Sequence, residues 1–188
     1  MAIQAVQVQR KLFTVAEYEQ MVQAGVLHED DRLELIEGVI IEMSPIGSAH
    51  LALVNRLNHL LVRRAGALAQ ISVQNPIHLP RSEPQPDIVL LKPRPDYYAE
   101  AIPLPEDILL LIEVSDTTAE VDRNMKIPLY GRNGIVESWL IDLTANVIEA
   151  YRGPASTGYR IKETFGPGDH ISLAALASLS VAADEILK

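Results

Sequence analysis

The sequence predicts an α/β (α+β) sandwich in which helices stand before and after a central run of strands. Three observations point to it. Residues 48–67, "SAHLALVNRLNHLLVRRAGA", repeat Leu53, Leu57, Leu60 and Leu61 at helical spacing. Residues 108–115, "ILLLIEVS", are almost unbroken apolar chain, the pattern of a strand covered on both faces. Further runs of strand length, "AQISVQNPIHLP", "PDIVLLKP", "VESWLIDL" and "NVIEAYRG", flank that segment and a second helical stretch.

The elements follow in order. Residues 1–12 are polar and expected to form a flexible start, with one domain over 13–188. Thr14 reads as an N-cap for "VAEYEQMVQAG", Glu17 completes a capping box, and Gly25 ends the turn. Leu33 and Leu35 alternate with Glu34, Glu37-Gly38 supplies a turn, and Val39 to Met43 returns as a hairpin strand. Ser48 is expected to cap the long helix and Gly66 to stop it. The Pro-rich stretch 93–105 makes the longest loop. "TAEVDRNMKIPLYGRNG" predicts a helix that Pro128 should kink or locally shorten. Two strands then meet near Asn146. The tail, residues 159–187, is compatible with short strands or a final helix.

Composition bounds the function. With 188 residues, 48% apolar and 22% charged, the chain is long enough for one substantial core. Sixteen Lys and Arg against 25 Asp and Glu give a net charge of −9, which argues against a wholesale nucleic-acid coat. A local groove lined by Arg63, Arg64, Arg81, Lys92 and Arg94 stays open. The absence of cysteine excludes disulfides, thiolate metal sites and cysteine nucleophiles. No apolar leader or membrane-length stretch stands out, so the expectation is a soluble cytoplasmic protein without a membrane partner.

There is no phosphate loop, dinucleotide glycine fingerprint, G-x-S-x-G or H-E-x-x-H. Carboxylates in unusual places remain. Glu113 lies inside "LLLIEVS", where a buried carboxylate needs a cation, a metal or a proton; the alternative is a strand-end residue facing water. Asp87 opens "DIVLL" after Pro86, which taken alone reads as turn chemistry. On a strand neighbouring Glu113, both acids would stay ionised only with positive charge between them, as a hard cation such as Mg²⁺ supplies. Asp122 and Lys126, four apart, read as a surface ion pair, unless the helix lies over the Glu113 strand. Glu34 reads as solvent-facing or as a further metal ligand, and the solvated reading is favoured. His50 reads as a polar residue at the start of its helix, or as a proton shuttle. His28, His59, His78 and His170 have no spaced partners, and Trp139 and Tyr130 read as core.

The segments "LELIEGVIIEMSP", "PDIVLL", "LLIEVSDTT", "KIPLYGRNGIVESWLID" and "FGPGD", over roughly residues 12–187, resemble the family named "putative restriction endonuclease" (Uma-two) of the PD-(D/E)XK nuclease superfamily. The resemblance implies a restriction-endonuclease-like core, a mixed sheet flanked by helices, and a Mg²⁺-dependent (Mn²⁺-tolerant) endonuclease acting on DNA. By matching motifs, Asp87 and Glu113 become metal ligands. The superfamily's lysine usually stands two residues after the second acid, where this chain has Ser115. The family places it on the next helix, here Lys126. Glu34 matches the acid of the early "ELI-G" segment and His50 the histidine opening the long helix. Ser138 stands where the family has an aromatic, a change in packing. Nuclease architecture also implies a homodimer. Two rival functions stay open: a non-catalytic, self-associating module, and a metal-dependent hydrolase of small phosphoesters.

Overall fold

The computed structural model describes residues 10–187, so most of the expected flexible start, residues 1–9, lies outside the described residues. The first helix, α1 (Val15–Gln23), carries the expected capping box. Thr14 Oγ1 accepts the Glu17 N–H at 3.1 Å, and Glu17 Oε2 accepts the Thr14 N–H at 2.9 Å. The hairpin of β1 (Leu33–Ile36) and β2 (Val39–Glu42) turns at Glu37 and Gly38, whose φ angles of 48° and 82° suit a right-twisted two-residue turn. A side chain at Gly38 would also sit 2.9 Å from Leu12 Cβ and the Phe13 carbonyl oxygen.

Helix α2 (Ser48–Ala65) ends at Gly66 as expected, but its N-cap is Gly47 and no side chain caps it. Ser48 is already helical, so its hydroxyl does not serve the first turn. The strand expected over 69–80 is β3 (Gln70–Val73) alone. Gln74 takes a left-handed φ of 51°, and the chain then runs irregularly to Asp87, tied by the single bridges Leu35 to Glu83 and Leu79 to Ser82. Next come β4 (Ile88–Leu91) and β5 (Ile108–Ser115), the latter buried along seven of its eight residues.

The predicted kink around Pro128 takes a specific form. A short α3 (Ala119–Val121) widens into a π-helical turn, Asp122–Lys126, before α4 (Ile127–Arg132), with Pro128 in its first turn. The Ile127 N–H reaches back five residues to the Asp122 carbonyl. That wider turn meets the proline, which has no N–H to continue an α-helical ladder. Strands β6 (Glu137–Asp142), β7 (Val147–Ala155) and β8 (Gly158–Phe165) follow, with Asn146 at φ 55° in the β6–β7 turn. The ambiguous tail resolves as the end of β8, then β9 (His170–Ser172), β10 (Ser180–Ala182) and a single 3₁₀ turn.

Strands β3 to β8 form one sheet in sequence order, antiparallel throughout except for the parallel pair β5–β6. A parallel neighbour requires a crossover, which α3, the π turn and α4 provide. Alternation along the strands divides the core. Ile88, Leu90, Leu110, Ile112 and Val114 pack with Leu53, Leu57 and Leu61 of α2 and with the β9–β10 hairpin. Val89, Leu91, Leu111 and Leu140 pack on the other face, against Ile36 of β1 and Ile127, Leu129 and Tyr130 of α4. Gly131 lets α4 approach β8 closely, because a Cβ there would lie 2.4 Å from the Gly158 backbone.

Candidate active site

The β4–β5 register pairs Ile88 with Ile112, and one residue further it sets Asp87 opposite Glu113. Alternation turns the Glu113 side chain towards the face of Leu111, the side covered by β1 and α4. Asp87 is fixed from three directions. Its Oδ2 accepts the Val114 N–H at 2.9 Å and lies 3.0 Å from His50 Nε2, while Oδ1 accepts from Gln74 Nε2 at 3.1 Å. Glu113 is 3% exposed, which removes the solvent-facing alternative. The Tyr130 hydroxyl donates to its Oε1 at 2.5 Å.

Lys126 closes the π turn and projects onto the same carboxylates. Its Nζ donates to Glu34 Oε1 at 2.9 Å and stands 3.5 Å from Glu113 Oε1. Glu34 Oε1 also accepts the Gln85 N–H at 2.9 Å. Arg123 anchors the π turn to the sheet, reaching Asp142 at 3.1 Å and Glu149 at 3.0 Å. Asp122 is buried and accepts from Ser115 Oγ at 2.5 Å and Thr118 Oγ1 at 3.0 Å. Asp87, Glu113, Glu34, His50, Asp122 and Lys126 line a cavity of about 580 Å³, which Arg32 also lines. The Arg32 guanidinium donates to the Ser44 carbonyl at 3.3 Å, and its buried Nε has no hydrogen-bond partner. The buried Nδ1 of His50 is likewise unpartnered.

Electrostatics follow from this crowding. Burial pushes the Glu113 carboxyl up to about 8; Lys126 opposes the rise, and Asp87, Asp122 and Glu34 add to it. Burial alone would lower Lys126, but Glu113, Glu34 and Asp122 outweigh it and hold the ammonium above its ordinary range. The hydrogen bond to Asp87 lifts His50 above the usual imidazole value, against burial and Arg32. Without further positive charge, the site therefore holds a proton on Glu113 more tightly than water does. Carboxylate oxygens are the donors that a hard divalent cation takes, and Asp87, Glu113 and Glu34 bring such oxygens to one cavity.

The model of the family described as "Putative restriction endonuclease" (Uma2) matches residues 15–184. The chain belongs to this family. The fold also matches a crystal structure described as "a putative nuclease belonging to DUF820" from Anabaena variabilis, with a TM-score of 0.75 at 18% identity over 93% of this chain and 97% of that one. Its mixed α/β fold is thus shared with a nuclease-like structure. No curated protein matches the chain.

In this Uma2 chain, Asp87, Glu113, Lys126, Glu34 and His50 all line one cavity. Two sequence expectations need correction, and a third gains a role. Glu34 is 2% exposed, not solvated, because the irregular segment before β4 folds over β1 and offers the Gln85 N–H. Asp122 and Lys126 are not a surface pair: each turns inward to a different partner, because the π turn lies over β5. Tyr130 is core but also donates to Glu113, a bond that a hydrophobic pattern does not signal. Sequence reasoning passed over Arg32, whose position just before the "LELI" strand was the available signal. It also treated Ser138 as packing, yet Ser138 Oγ lies 2.7 Å from the Tyr159 hydroxyl. Among the described residues, Arg63, Arg64, Arg81, Lys92 and Arg94 do not line the cavity.

Proposed function

We propose that the protein is a Mg²⁺-dependent nuclease, accepting Mn²⁺, that hydrolyses DNA phosphodiester bonds. The observation that carries this reading is the convergence of Asp87, Glu113 and Lys126 on one cavity. Family membership supports it. Asp87 and Glu113 would hold the cation, which would acidify a bound water and polarise a phosphoryl oxygen.

The chain's own groups divide the remaining work. Val114 N–H and Gln74 lock the Asp87 carboxylate, and Tyr130 locks that of Glu113. Lys126 stays protonated, so it stabilises phosphate charge rather than acting as a base. Glu34 fixes the direction of that ammonium. His50, oriented by Asp87, presents Nδ1 as an accessory proton carrier. Arg32, on the cavity wall, offers its guanidinium to a substrate phosphate. We place the activity in the cytoplasm and expect a homodimer. No helix among the described residues is long and apolar enough to cross a membrane.

A second reading, hydrolysis of small phosphoesters, draws support from the cavity lining. Six carboxylates (Glu34, Glu42, Asp87, Glu113, Asp116, Asp122) face only Arg32 and Lys126, a poor track for a polyanion. The test is incubation of the protein with plasmid DNA, linear DNA and a generic phosphodiester reporter in Mg²⁺ or Mn²⁺, beside Glu113→Gln. DNA cleavage that EDTA and Glu113→Gln both abolish is the expected result. Cleavage of the reporter alone would favour the second reading. Cleavage surviving in the variant would sink the site. No turnover, with no metal-induced thermal shift, would leave a non-catalytic self-associating module.

A further inference from the structure

Away from this cavity, Glu19 of α1 meets His78 and Glu83 of the irregular segment before β4. His78 Nε2 lies 2.8 Å from Glu83 Oε2 and 3.2 Å from Glu19 Oε1, and the three ligand atoms all fall within 4.8 Å of one another. One imidazole nitrogen carries at most one hydrogen, and that hydrogen can be well aimed at only one of two carboxylates. The second carboxylate then stands beside the first with little compensation. Burial already raises Glu83 above its ordinary range; His78 opposes this and Glu19 adds to it.

The three donors are also held in place by their backbones. The Glu83 N–H donates to the Leu35 carbonyl at 2.7 Å, and the His78 N–H donates to the Pro103 carbonyl at 2.9 Å. Glu19 sits within α1, beside Tyr18, whose hydroxyl donates to the Leu33 carbonyl at 3.1 Å. The nitrogen–oxygen separations lie within about half an ångström of the edge of a tetrahedron with bonds near 2.0–2.1 Å, roughly 3.3 Å.

We propose that Glu19, His78 and Glu83 form a second, structural metal site for a divalent transition ion, Zn²⁺ above all. Mixed imidazole and carboxylate donors suit Zn²⁺ better than Mg²⁺, which takes oxygen ligands and keeps its waters. Three protein ligands leave the fourth position to water. Two carboxylates and a neutral imidazole balance the ion's charge, which the shared hydrogen bond does not. Binding ties α1 to the segment that covers β1, and Gln85 of that segment bonds Glu34. The site thus braces one wall of the candidate cavity without contributing to its chemistry.

The inference does not depend on nuclease activity, and its test removes the first site. The full chain carrying Asp87→Asn and Glu113→Gln is titrated with Zn²⁺ by calorimetry, and with Co²⁺ by its visible absorption. One ion per chain is expected, with a low-coordination Co²⁺ spectrum and a rise in Tm. His78→Gln in that background should weaken binding about 10–100-fold or more, the scale at which losing even an outer-shell partner is felt. Glu19→Gln, a change on the partly exposed side of α1, should do likewise and decides the matter if His78→Gln fails to fold. Absence of stoichiometric binding, or binding indifferent to Glu19→Gln, would overturn the site and leave His78 as a hydrogen-bond partner shared by two carboxylates.

Discussion

Glu113→Gln exchanges a carboxyl that burial pushes towards its protonated form for a neutral amide of nearly the same shape. The amide oxygen can still accept from Tyr130, and Lys126 keeps its bond to Glu34. The wild-type carboxyl rises from 4.5 to about 8 on folding. A raised carboxyl pKa means that the folded state binds the proton more tightly than the unfolded chain. Stability is therefore undiminished below pH 4.5, falls as pH rises, and levels off above about 8. At about 1.4 kcal/mol per unit, the fall between pH 5 and pH 8 is on the order of 3–4 kcal/mol. For a chain of this size that corresponds to roughly 7–14 °C in Tm. His50, also raised, contributes stability that is present below its unfolded value and lost as pH climbs, so its slope has the same sign and survives in the variant. Lys126, raised from an already high value, stays charged over the whole window. Thermal melts in EDTA from pH 5 to pH 8 should show wild type losing stability steeply and Glu113→Gln only weakly, with the variant more stable at pH 8. Mg²⁺ should close the gap from the wild-type side alone. A variant less stable than wild type at both ends, or one with an unchanged slope, would mean that Glu113 is ionised against Lys126, and the electrostatic reasoning would fail.

Two further outcomes follow from the same contacts. Lys126→Met should abolish cleavage and cost about 3–5 kcal/mol of stability, because it strands Glu34 as a buried carboxylate; melts of Lys126→Met/Glu34→Gln should recover much of that loss. Arg32→Ala should lower kcat/KM about 10–100-fold by removing a charge-assisted phosphate contact, while Tm moves little because the guanidinium makes one long bond to Ser44; a large Tm loss with unchanged kcat/KM would make Arg32 structural instead.

Much of the fold was legible because period and punctuation agreed. The leucines of α2, the capping box of α1, the Glu37-Gly38 turn and the doubly covered β5 are local statements that tertiary packing did not override. The chain after Val73 was harder to read. Its residues look like a strand, yet Gln74 turns left-handed and the segment is held by side chains and isolated bridges instead of a ladder. The acids show the same division. Glu113 announced itself by standing in an apolar run, whereas the burial of Glu34 depends on a segment about fifty residues away. The ligand-like approach of Glu19, His78 and Glu83 depends on the same segment, and no spacing rule joins residue 19 to residue 78.

Lys126 shows why order along the chain can mislead about order in space. Alternation on β5 sends position 115 to the same face as Glu113, the place where a lysine would reach the acids directly. Ser115 is fully buried there and donates to Asp122. Asp122 opens the π turn that Lys126 closes, Thr118 gives Asp122 a second hydrogen bond, and Arg123 secures the turn to the strands beneath it. A short side chain on the strand thus positions the helix, and the helix returns the ammonium to within 3.5 Å of Glu113. From the π turn, Lys126 is held by Glu34, a third acid from a separate hairpin. The ammonium's position is therefore coupled to the packing of α4 and β1, and the cluster assembles only when both have docked on the sheet.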